Sequence, residues 1–269
     1  MVGAGYRAAM PSAEVAPGVE IAYQRVGVGP SLLLVHGITE SRHTWDPLVA
    51  DLAMSFDVIA VDLRGHGESS RVGPFDAVTF AGDLAALARG LGLRRPLLVG
   101  HSLGGIVVTA LATMIPVRAV LDIDQPLRLS DFQAALAPAA GLIRGSRDEF
   151  EGFMAGLFAS IDGPLPADER ERIATHSRPD QEVVIGIWSG VLDGSAAELD
   201  ALVDGLAARV SAPYLSLHGT DPGPDYAAWL TSRIPSAVVE LWPDQGHYPH
   251  LVAPDRFLAR VRDLDTETS

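Results

Sequence analysis

Cysteine is absent from this 269-residue chain. Its absence removes disulfides, thiolate metal sites, iron–sulfur ligation and cysteine nucleophiles together, and fits a reducing compartment. Basic residues are scarce: 20 against 34 acidic ones give a formal net charge of −14. Such a surface repels phosphate backbones and anionic lipid, so neither nucleic-acid nor membrane binding is expected. Missing too is any apolar run near the 18 or so residues of a membrane span. The opening MVGAGYRAAMPS holds one arginine and no apolar core of a signal peptide, so no targeting segment is read and a cytoplasmic location is expected. No internal repeat occurs, and the Ala-rich residues 134–140 are the one biased tract. Against these absences, 48% hydrophobic and 20% charged residues describe a globular chain with enough apolar material for a sizeable core.

Short apolar runs recur at residues 31–35 (SLLLV), 56–61 (FDVIAV), 96–99 (PLLV), 119–123 (AVLDI) and 213–217 (PYLSL), each the signature of a strand buried on both faces. Helical spacing lies between them, in Phe80, Leu84, Leu87 and Leu91, and in Leu103, Ile106, Val107, Ala110 and Met114. Strand and helix alternate, which calls for a mostly parallel sheet with helices on both faces. Residues 19–25 alternate in polarity and are expected to form an antiparallel edge with the first residues. After Gln125 the alternation stops. Apolar stripes through Phe150, Phe153, Met154, Leu157, Phe158 and Ile161, through Val183, Val184, Ile187, Trp188 and Val191, and through Leu199, Leu202, Val203 and Leu206 indicate a helical insertion. The expected organisation is an α/β core from residues 1–125 and 211–269 with a helical cap, residues 126–210, above the crevice at the carboxyl edge of the sheet.

The run 96–99 leads directly into Gly100-His101-Ser102-Leu103-Gly104-Gly105 and a helix, the strand, turn, helix context that G-x-S-x-G requires. Throwing the Ser102 hydroxyl from the tip of that turn needs a strained backbone, and side chains two residues either side would strike neighbouring elements. The bland alternative is a Gly-rich helix start with a serine cap. Upstream, SLLLV ends in His36-Gly37-Ile38-Thr39. There the Ile38 amide, with the Leu103 amide at the positive end of the following helix, is placed to hold an oxyanion. His36 orients that loop rather than reacting. The Gly-spaced Asp62-Leu63-Arg64-Gly65-His66-Gly67-Glu68-Ser69 would, taken singly, be an ordinary surface loop. Late in the chain, Gln245-Gly246-His247-Tyr248-Pro249-His250 brings in a histidine, whose pKa near neutrality suits a general base. His250 three residues on suggests a metal only weakly, with no helical frame and no third ligand nearby.

HGIT, DLRGHGES, GHSLGG and QGHYPH, in this order and covering most of the chain, resemble the α/β-hydrolase superfamily. The resemblance implies an eight-stranded, mostly parallel sheet with a helical cap, a nucleophile at Ser102, a base at His247, an oxyanion hole from the Ile38 and Leu103 amides, and no metal or other cofactor. Epoxide hydrolases and haloalkane dehalogenases of this fold carry Asp at the elbow, so Ser102 excludes their chemistry. The triad acid has two candidates. Asp221, with Asp225 further along its loop, follows strand seven where the family usually places the acid, although one residue closer to the glycine than in the commoner G-x-x-D. Asp124 follows strand six, the position used by certain lactonases and cofactor-free oxygenases, and the stiff Pro222-Gly223-Pro224 tilts the choice toward it. Asp122 is expected to pack at the sheet edge or pair locally.

The expected reaction is serine hydrolysis of an ester or lactone in a small, uncharged and fairly apolar molecule. Trp188, Phe153, Met154 and Phe158 are the candidate pocket walls, although at helical spacing each is also ordinary lid core. Rivals are a C–C bond hydrolase, a cofactor-free oxygenase, and a ligand receptor that keeps the scaffold. The expected partner is a small-molecule substrate; a homo-oligomer is compatible with the sequence and not required by it.

Overall fold

Short, mostly apolar runs form the middle of one sheet. In the computed structural model, which describes residues 11–268, eight strands are β1 (Ser12–Ala16), β2 (Val19–Val26), β3 (Ser31–Val35), β4 (Asp57–Val61), β5 (Leu97–His101), β6 (Ala119–Ile123), β7 (Tyr214–His218) and β8 (Ala237–Leu241). Their order is β1-β2-β4-β3-β5-β6-β7-β8. β2 pairs antiparallel with β1 and with β4, and every other pairing is parallel. This is the α/β-hydrolase fold. Strands β4 to β7 are buried at every position, as a sheet covered on both faces requires. Period-two alternation divides each strand between two cores. Leu33, Val35, Ile59 and Val61 face one, while Leu32, Leu34, Val58 and Ala60 face the other.

The helices are α1 (Asp46–Leu52), α2 (Ala77–Gly90), α3 (Leu103–Leu111), α4 (Leu129–Leu136), α5 (Ala140–Ile143), α6 (Arg147–Ile161), α7 (Ala167–His176), α8 (Gln181–Asp193), α9 (Ala196–Ala207), α10 (Tyr226–Thr231), α11 (Pro249–Val252) and α12 (Pro254–Glu267). Side chains of α2 and α3 fill the first core, and those of α1 and α12 the second. Helices α4 to α9 lie between β6 and β7. The three apolar stripes fall on α6, α8 and α9, each started by a side-chain cap. Asp180 accepts from Val183 N–H, and Ser146 and Ser195 form capping boxes with Glu149 and Glu198. Helix α7 has no buried residue and so no stripe to betray it.

One reading needs correction: Asp122 is not at the edge of the sheet, because β6 sits between β5 and β7. The loop after β4, which taken singly reads as a surface loop, is buried at Asp62, Arg64 and His66. Asp62 accepts from the Arg42 amide and guanidinium and from Glu68 N–H, and Arg64 forms a two-pronged pair with Asp83 at 2.8 and 2.6 Å. Among the described residues no helix is long and apolar enough to cross a membrane. Most of the segment read for targeting, residues 1–10, lies outside the described residues.

Candidate active site

Strand β5 ends at His101 and α3 begins at Leu103, so Ser102 alone makes the turn, at φ 51° and ψ −124°. This is a left-handed backbone that a non-glycine residue holds only when its surroundings over-determine it. Here they do. A Cβ on Gly100 would run into the Gly104 carbonyl, and a Cβ on Gly104 into the carbonyl of Val35 on β3. The two glycines let strand and helix close on each other, and Ser102 is left half-buried facing a cavity.

The same cavity is lined by His247, whose Nδ1 donates to Asp124 Oδ2 at 2.7 Å. Asp124 stands one residue past β6, also with positive φ (51°). Its second oxygen accepts the amides of Gly219 and Thr220 at 2.9 and 3.0 Å. Burial pushes this carboxyl up, but the His247 hydrogen bond and charge and the Thr220 amide outweigh it, and the net direction is down. Asp124 is therefore an ionised acceptor that fixes the His247 tautomer with the proton on Nδ1 and leaves Nε2 free to accept. Asp221 lies on the same cavity, yet its Oδ1 accepts the Gly223 amide, closing a local turn, and it does not bond His247. Among the described residues, Ser102 Oγ and His247 line the same cavity without a hydrogen bond between them.

Ile38 and Leu103 line the cavity beside Ser102, and neither amide meets an acceptor among the described residues. His36 accepts the Leu63 amide on Nε2 at 3.0 Å and so donates from Nδ1 to the Gly37 carbonyl at 2.7 Å. Burial also pulls its pKa down, in keeping with a neutral ring that shapes the turn.

Beneath these groups lies a buried cluster that sequence reasoning missed. Glu40 Oε2 accepts Gly37 N–H and Thr44 Oγ–H, while Oε1 accepts Tyr248 O–H at 2.9 Å. His101 Nδ1 faces Glu40 Oε2 at 3.5 Å, and its Nε2 donates to the His247 carbonyl at 2.8 Å. Burial acts against both charges, yet His101 draws Glu40 well below the carboxylate range and Glu40 raises His101. One carboxylate thus touches the loop after β3, the elbow, and the histidine loop. The only trace of it in the sequence is a Glu four residues after His36; its partners His101 and Tyr248 come from remote segments. His250 is fully buried and packs on the rings of Trp45, His101, Tyr248 and Phe257.

Helices α4, α6, α8 and α9 roof the cavity, of about 490 Å³, with mostly apolar side chains. Trp188 and Phe158 line it. Phe153 and Met154 do not, which corrects their assignment as walls. Phe153 meets Trp188 edge-on from behind at 6.4 Å between ring centroids, and Met154 is buried in the helical core.

The sequence model described as "Alpha/beta hydrolase family" matches residues 32–260. The chain belongs to this family. A 2-(acetamidomethylene)succinate hydrolase of Mesorhizobium japonicum is 31% identical over 251 residues, 88% of each chain. An esterase structure from Rhodococcus sp. ECU1013 superposes with a TM-score of 0.72 at 25% identity, covering 97% of this chain and 99% of that one. An uncharacterised protein of Mycobacterium tuberculosis is 39% identical over 100 residues, 37% of this chain, and the matched region spans only 29% of that relative's length.

Proposed function

We propose that this α/β hydrolase is a serine hydrolase that cleaves an ester or lactone bond of a small, fairly apolar molecule through an acyl-enzyme on Ser102. The observation that carries the reading is the 2.7 Å bond from His247 Nδ1 to Asp124, with Ser102 and His247 on the same cavity. Ser102 Oγ attacks the substrate carbonyl carbon as His247 Nε2 takes the hydroxyl proton. The carbonyl oxygen becomes an oxyanion held by the Ile38 and Leu103 amides, each donor contributing about 3 kcal/mol to the barrier reduction. Collapse breaks the C–O bond, and the imidazolium passes its proton to the leaving alkoxide. A water then attacks the acyl-enzyme with His247 again as base, releasing the carboxylic acid and restoring the Ser102 hydroxyl. Similarity to an esterase supports the bond type. The succinate named for the Mesorhizobium relative is not carried over, because among the described residues no arginine lines this cavity.

A panel of p-nitrophenyl esters and γ-lactones tests the reading. Ser102→Ala is expected to lower kcat by about 10⁴-fold or more, with the fold intact by circular dichroism. Undiminished turnover in that variant would end the proposal. The position of Asp124 after β6 favours one second reading, a cofactor-free oxygenase that uses His247 as a base. Substrate-dependent oxygen uptake that persists in Ser102→Ala would select it.

A further inference from the structure

Lysine is absent from the sequence, so all 20 basic side chains are arginines. Arg128, four residues after Asp124, lies over the Trp229 ring at 5.1 Å and 3.6 Å from Asp131, and other arginines of the loops and the helical roof are paired with carboxylates. Arg42 pairs with Asp62 and Glu68, Arg64 with Asp83, Arg170 with Asp162 and Arg172 with Glu169. Among the described residues no arginine lines the cavity. The ionisable side chains that do line it are Asp76, Asp124, Asp221 and His247. Asp124 is held by His247 and the Gly219 and Thr220 amides. Asp76 caps α2, accepting from Thr79 N–H and Oγ–H. Asp221 is exposed at the rim, with one oxygen on the Gly223 amide. Among the described residues, the cavity is therefore apolar in its roof and negative at its edge, with no arginine in its lining. Its oxyanion-holding amides, Ile38 and Leu103, are committed to the reacting carbonyl.

We infer that the cavity accepts uncharged acyl groups and rejects substrates that carry a carboxylate away from the scissile bond, with Asp221 adding repulsion at the entrance. This rests on the serine-hydrolase reading for the reaction, although the charge preference belongs to binding as well. A second carboxylate entering such a cavity leaves water without a counter-ion or donor set to replace its hydration, and an unpaired buried charge is among the least tolerated of all burials. It must also pass the field of three aspartates, which salt screens only at the exposed rim.

Two esters of equal chain length test the inference: p-nitrophenyl pentanoate, which is neutral, and mono-p-nitrophenyl glutarate, which ends in a carboxylate. At pH 7.5 and low salt, kcat/KM is expected to favour the neutral ester by about 100-fold or more. Asp221→Asn is expected to narrow that ratio about threefold and Asp221→Arg about tenfold, both effects shrinking at high salt. Binding of methyl pentanoate and monomethyl glutarate to the Ser102→Ala protein, by calorimetry, should show the same order. A neutral preference in binding, with neither p-nitrophenyl ester turned over, would uphold the charge selectivity and remove the hydrolase reading. Comparable kcat/KM for the two esters would overturn the selectivity and leave the hydrolase reading standing. Equal or tighter binding of the glutarate, or no saturable binding of either methyl ester, would likewise overturn it. An unchanged ratio in both Asp221 variants would overturn the part given to Asp221.

Discussion

A serine hydroxyl is a poor nucleophile until a base is positioned to take its proton, and in the proposed mechanism the positioning of that base depends on one carboxylate. Asp124 and Asp221 sit on the same cavity, but only Asp124 bonds His247. Asp124→Asn should present a donor to Nδ1, turn the ring to the wrong tautomer, and lower kcat by about 10⁴-fold. Asp221→Asn should stay within about threefold on a neutral ester, and steady-state kinetics with a p-nitrophenyl ester separates the two. The sequence leaves this choice open because both aspartates follow parallel strands at the same end of the sheet. Only the alignment of β6 beside β7 brings the Gly219 and Thr220 amides onto Asp124. Its neighbour Asp122 has a different task. It is fully buried, accepting from Tyr214 O–H and Ser216 Oγ–H, and burial drives its carboxyl well above the ordinary range. Between the ordinary carboxylate pKa of about 3.9 and that raised value, the folded protein keeps a proton that the unfolded chain releases. Wild-type stability should thus fall relative to Asp122→Asn by about 1.4 kcal/mol per pH unit across that window as pH rises. Urea unfolding of both proteins at a series of pH values from 4.5 to 8 checks the sign.

Elements place these residues, and three loops have to agree for the site to exist. Glu40 is the point at which they meet, through Gly37 N–H, His101 and Tyr248 O–H. Glu40→Gln keeps the shape but loses the charge facing His101. It should lower kcat about 10- to 100-fold while leaving KM within about threefold, since the apolar walls are untouched. Tyr248→Phe, which deletes one tie, should show the same kcat-weighted loss at smaller size. Steady-state kinetics beside a thermal melt distinguishes this from simple destabilisation. Elements with a repeating apolar signal are the legible ones. Strands such as SLLLV and AVLDI, and helices α2, α6, α8 and α9, are marked in the sequence because burial requires the pattern. Helix α7, with no buried residue, and the buried loop after β4 carry no such pattern; charge pairs such as Arg64 with Asp83 hold the latter, and pairing between remote residues leaves no period to read.

For the whole molecule, the sheet supplies a rigid edge from which Ser102, Asp124 and His247 project, and the helices between β6 and β7 supply the apolar roof. The order of the four motifs makes the family readable from sequence. The contents of the roof are less so, since helical spacing marks Trp188, Phe158, Phe153 and Met154 alike and only packing separates the first two, on the cavity, from the others. In the proposed mechanism, the His247 imidazole, from a loop late in the chain, activates the Ser102 hydroxyl at the turn after β5. The most direct measurement of this activation is the rate at which a fluorophosphonate forms an adduct with the wild-type protein and with His247→Ala, the site being mapped by mass spectrometry. A single adduct on Ser102, forming about 10³-fold or more slower in His247→Ala, is the expected result. An adduct on another residue, or equal rates in the two proteins, would contradict it.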